Sequence, residues 1–115
     1  MADEFKITEV KTSTGMNPNV AAMLCYLAGW ITGLIFFLIE KDNRFVRFHA
    51  LQSIITFGGL TMLFMVLGFI PIIGWMLFPV LGIVQLILWI LLMVKAYQGE
   101  QFKLPVIGDL AEKNI

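Results

Sequence analysis

The stretch FHALQSIITFGGLTMLFMVLGFIPIIGWMLFPVLGIVQLILWILLMV, residues 48–94, contains no Asp, Glu, Lys or Arg. As a single α-helix rising about 1.5 Å per residue it would be roughly 70 Å long, twice the ~30 Å of a bilayer's hydrocarbon core. It therefore has to fold back on itself. The turn is marked by Gly68-Phe69-Ile70-Pro71-Ile72-Ile73-Gly74-Trp75, where proline removes an amide donor and glycine loosens the backbone. This reading gives two spans, 49–70 and 75–96. Trp75 falls at headgroup level, Pro79 in the first turn of the later span, and Lys95 and Tyr97 at that span's other interface.

Working toward the N-terminus, residues 20–39, VAAMLCYLAGWITGLIFFLI, form another apolar run. Its helical length of about 30 Å suits one more crossing. Asn17 is a good N-cap, Pro18 suits the first helical position, and Glu40-Lys41-Asp42-Asn43 returns the chain to water. The runs lack the alternation of a barrel strand, and only helices or closed barrels satisfy backbone groups in lipid. The expected fold is all-α: a membrane-embedded three-helix bundle over 20–97 (spans 20–39, 49–70 and 75–96), an N-terminal tail 1–19 and a C-terminal tail 98–115. That tail mixes Phe102, Leu104, Val106 and Ile107 with Pro and Gly, which suits a segment lying on the membrane surface or against the 40–48 loop, or else a disordered end.

Composition agrees with a lipid environment. Of the 115 residues 59% are hydrophobic and 14% charged, and the mean hydropathy is +0.88. A soluble chain this small has too much surface to hide such a share of apolar side chains. The formal net charge is zero, and no basic face with interleaved aromatics argues for nucleic acid. The single cysteine, Cys25, excludes an internal disulfide and reads as a small buried hydrophobe. The acidic N-terminal side chains and the 20-residue apolar run are unlike a cleavable signal.

Basic residues orient membrane helices. With three spans, Lys6 and Lys11 share one side, while Lys41, Arg44, Arg47, Lys95, Lys103 and Lys113 share the other. The expectation is an N-terminus outside and a cytoplasmic C-terminus in a multi-pass protein of the cell membrane.

Each span carries small and polar residues at helical spacing, the groups that hold helices together in lipid. They are Gly29, Thr32 and Gly33 in the first, His49, Gln52, Thr56 and Gly59 in the second, and Gly82 and Gln85 in the third. Gln85, at mid-depth, is expected to hydrogen-bond another helix. In the loop, Asp42 or Asn43 caps the second span, and Arg44, Phe45, Arg47 and Phe48 form a candidate contact for anionic lipid or an acidic partner. His49 is the lone histidine, and metal sites need several ligands, so it is read as a hydrogen-bonding group. No nucleophile–base pair or carboxylate cluster stands near an interface. We expect no enzyme activity, catalytic residue, metal or cofactor. The expected function is a structural or assembly subunit packing with itself or another membrane protein, with an oligomeric transport or protein-translocation component as the alternative.

Three stretches, NPNVAAMLCYLAGW, EKDNRFVRFHALQS and GEQFKLPVIGDLAEK, carry a resemblance across residues 17–113. In them the chain resembles the small bacterial and archaeal membrane proteins of the Tic-twenty-like family, whose plant relatives are four-span chloroplast import components. The resemblance implies a multi-pass helical protein of the cell membrane, with Asn43, Arg47, His49 and Gln52 as motif positions.

Overall fold

The computed structural model describes residue 12 and residues 15–115, so the expectations for Lys6, Lys11 and the acidic side chains near them lie outside the described residues. Among the described residues five helices follow one another: α1 (Pro18–Leu24), α2 (Trp30–Ile39), α3 (Arg44–Gly68), α4 (Ile73–Tyr97) and α5 (Ile107–Lys113). No strand occurs among the described residues.

Helices α3 and α4, 25 residues each, form the hairpin expected from the long uncharged stretch, and both are long and apolar enough to cross a membrane. Asn43 caps α3 by accepting from the Val46 amide at 3.1 Å. At the hairpin tip Ile72 has a φ of 67°, and the Ile73 amide bonds back to Pro71 at 2.8 Å. The C-terminal segment repeats the device. Val106 has a φ of 65° and the Ile107 amide bonds to Pro105 at 2.6 Å, so Pro-Ile-Ile-Gly opens α4 and Pro-Val-Ile-Gly opens α5. Trp75 is exposed at the tip and donates to the Gly68 carbonyl at 3.3 Å. Pro79 lies in the second turn of α4 rather than the first, because the helix begins at Ile73.

The first apolar run departs from expectation. Residues 20–39 are not one helix. α1 has 7 residues and α2 has 10, and residues 25–29 turn between them. The two pieces enter and leave at the same end of the α3–α4 hairpin. On the way in, the Cys25 thiol lies 3.8 Å from the Val46 carbonyl, and the Tyr26 hydroxyl meets His49 at 2.6 Å. Gly29, at the turn, lies beside Phe57, about three turns deeper along α3. On the way out, Arg47 donates to the carbonyls of Phe37 at 3.1 Å and Glu40 at 2.7 Å. Among the described residues, α1 and α2 therefore flank the α3–α4 hairpin over the half that holds residues 44–57. Beyond it, among the described residues, α3 and α4 pack on each other alone.

Gly29 sits at φ 64°, ψ −135°, a region open in practice to glycine alone, which ends the inward run and starts the outward one. Gly33 then lets α2 press onto α3: a Cβ there would stand 2.9 Å from both the Ala50 carbonyl oxygen and the Ser53 Cβ. The Gly29-x-x-x-Gly33 pair thus serves packing within the chain.

Candidate functional site

The backbone turn at 25–29 sits deep in the fold, and irregular backbone at such depth needs partners from outside its own segment. Three side chains supply them. Trp89 of α4 donates its indole N–H to the Tyr26 carbonyl at 2.7 Å, and Ser53 of α3 donates its hydroxyl to the Gly29 carbonyl at 2.9 Å. Thr32 accepts from the Ala28 amide at 3.0 Å, with its hydroxyl 3.2 Å from the Cys25 carbonyl.

Beside the turn lies a buried polar network joining three segments. His49 Nε2 is 2.9 Å from the Glu100 carbonyl, which only accepts, so that nitrogen carries the proton. Nδ1 is then the acceptor, and the Tyr26 hydroxyl donates to it at 2.6 Å. Gln52 donates to the Tyr26 oxygen at 3.0 Å and to the Phe102 carbonyl at 2.8 Å, while its own carbonyl accepts from the Leu104 amide at 3.0 Å. Tyr26, His49 and Gln52 are all fully buried. The C-terminal segment is consequently docked on α3 through residues 100–104, and Leu104 is buried with it.

This docking relocates the loop residues singled out in the sequence. Phe45 and Phe48 are inside, their rings edge-on to His49 at centroid distances of 4.7 and 5.2 Å, so neither anchors in headgroups. Arg47 closes the C-terminal end of α2 and lies 4.3 Å over the Phe37 ring. Arg44 stays exposed, in a shallow depression with Lys103, Asp109, Glu112 and Lys113. Glu112 pairs with Lys103 and holds its ammonium above the usual lysine range. Glu40 is fully buried, and its carboxylate accepts from the amides of Asp42 and Asn43 at 3.2 and 3.1 Å.

The remaining packing candidates divide. Thr56 is buried, and its hydroxyl has no partner among the described residues. Gly59 and Gly82 face open space. Gln85 makes no hydrogen bond among the described residues, contrary to expectation, because α2 turns back before reaching its level. Instead it lines a cleft of about 550 Å³ beneath the 25–29 turn, walled by Trp30, Phe57, Phe64 and Trp89. Sequence reading missed Tyr26 and Ser53. The available signal was Gly29 itself, a glycine inside an apolar run with hydrogen-bonding side chains at matching depth on the later helices. No group of three or more His, Cys, Asp or Glu able to hold a metal occurs among the described residues.

Residues 17–111 match the model of a family described as magnetosome magnetite crystal formation proteins. Among curated proteins, a UPF0132 membrane protein of Methanocaldococcus jannaschii is 56% identical over 103 residues, covering 90% of this chain and 93% of that protein. A second from the same organism is 50% identical, over 86% of this chain and 71% of its own length. One from Archaeoglobus fulgidus is 53% identical, over 87% of this chain and 97% of that protein. These descriptions are not those of the Tic-twenty-like group. No solved structure matches the chain.

Proposed function

The chain belongs to the magnetosome magnetite crystal formation protein family and is a membrane protein, and from that premise we propose that it is a non-catalytic assembly subunit of the cell membrane. The observation that carries this is α4. Of its 25 residues only Gly74, Leu92 and Ala96 are buried, and apolar side chains such as Ile83, Ile87 and Ile90 stand open. Lipid accounts for that surface in part. A two-helix hairpin is also a thin element that gains most by packing against further helices. Its partners are then copies of itself or other membrane proteins. Catalysis fits poorly, because both ring nitrogens of His49 are committed within the fold. In mild detergent we expect a defined oligomer or a stoichiometric complex with another membrane protein. A strictly monomeric particle, bringing nothing along from native membranes, contradicts the reading.

The same reading sets orientation. Lys41, Arg44, Arg47, Lys95, Lys103 and Lys113 all belong to the hairpin end that also receives Asn17 and Glu40, whereas residues 69–72 at the tip carry no charge. By the bias of basic residues, that end is cytoplasmic. The protein then crosses twice, and residues 18–39 dip in and return, so the N-terminal side is cytoplasmic too. We expect Ala2→Cys and Lys41→Cys, each in a Cys25→Ala background, to react with an impermeant maleimide from the same face of sealed vesicles, and Ile72→Cys from the other. Labelling of Ala2→Cys together with Ile72→Cys restores three crossings.

An oligomeric transport component is the second reading. It is favoured by one feature, a discontinuous helix at membrane depth, the arrangement around which many transporters build their sites.

A further inference from the structure

We propose that the cleft beneath the 25–29 turn binds the ring of a membrane-soluble quinone. Gln85 is the central residue of α4, so its amide lies near the middle of the hydrocarbon, about 18 Å from either helix end. An amide without a partner at that depth is costly, and it calls for a ligand that brings a hydrogen-bond acceptor there. Gly29 and Trp30 also line the cleft, at the start of α2, whose first amides have no intrahelical acceptor and no side-chain cap. The walls are aromatic on several sides, with Trp30, Phe57, Phe64 and Trp89 around a volume of about 550 Å³, ample for a flat ring.

Depth selects the carbonyl compound. The ester carbonyls of a phospholipid are held at the interface by their headgroup and do not reach the middle of the bilayer. A quinone has no charged headgroup, carries two carbonyl acceptors on a planar ring, and enters the hydrocarbon freely. The inference does not depend on the assembly reading, since every group named belongs to one chain.

The test uses the full-length protein with Trp75→Phe, which leaves Trp30 and Trp89, both on the cleft wall, as the fluorophores. Titration with decylubiquinone in detergent should quench their emission saturably, and decane at equal concentration should neither quench nor compete. Gln85→Leu should raise the apparent Kd at least tenfold. Gly82→Leu should abolish saturable quenching by filling the cleft. It does so without a clash, because a Cβ at Gly82 meets nothing within 4 Å. Circular dichroism and thermal melting confirm that each variant is folded. Quenching that is linear in quinone, or that is unchanged in folded Gln85→Leu and Gly82→Leu protein, overturns the assignment.

Discussion

Replacing Gln52 with leucine costs about 3 kcal/mol and releases the C-terminal segment from the bundle. Gln52 is fully buried and completes three hydrogen bonds, to the Tyr26 hydroxyl, the Phe102 carbonyl and the Leu104 amide. Leucine fills nearly the same space and answers none of them. Each orphaned buried group costs about 1–3 kcal/mol, and the upper total is avoided because residues 100–104 can lift off and hydrate. Release also removes the Glu100 carbonyl from His49 and the Leu104 side chain from the core. The reading to take is the rate of tryptic cleavage at Lys103 under native conditions. If cleavage proceeds through opening, a change of about 3 kcal/mol accelerates it roughly a hundredfold. Acceleration below threefold, in protein that remains folded, means that residues 100–104 are held by something other than Gln52.

What the sequence made legible follows from how local each signal is. The hairpin was readable because 47 uncharged residues are too long for one crossing and Pro71 with Gly74 gives one place to turn; these are arguments about length and about single residues. Asn43 and Asn17-Pro18 were readable for the same reason, since a cap acts within four residues. The break at 25–29 was not. Hydropathy measures whether a run tolerates lipid, and a run that dips and returns tolerates it as well as one that crosses. What holds the turn in place is Ser53 and Trp89, 24 and 63 residues away, which donate to the Gly29 and Tyr26 carbonyls from the other two helices. Of the polar stripe on α3, His49 and Gln52 are buried and meet Tyr26, whereas Gly59 faces open space. Its partner on the far side, the backbone of residues 100–104, carries no side-chain signature. Phe45 and Phe48 read as a lipid or partner contact for that reason: the segment covering them leaves no mark in their own stretch of sequence.

Gly33→Leu should destabilise the protein by about 3–5 kcal/mol, a large share of an ordinary folding free energy. The Ala50 carbonyl oxygen and the Ser53 side chain, 2.9 to 3.0 Å from the place of the new Cβ, are fixed parts of α3, so α2 has to move away. Overpacking of this kind costs about 1–3 kcal/mol. Moving α2 also pulls the Gly29 carbonyl from Ser53, leaving the buried Ser53 hydroxyl without its acceptor at a further cost of about 1–3 kcal/mol. Gly59 supplies the contrast. It lies inside α3 with nothing within 4 Å of a Cβ, so Gly59→Ala should stabilise by about 0.5–1 kcal/mol through helix propensity alone. Gly33→Ala should run the other way, although both changes are the same in chemistry and both sit in helices. Thermal unfolding midpoints in one detergent separate the cases. If residues 20–39 crossed as one straight helix with Gly33 turned to lipid, the two alanine variants would shift in the same direction. Opposite signs require α2 to lie against α3 on its way back out.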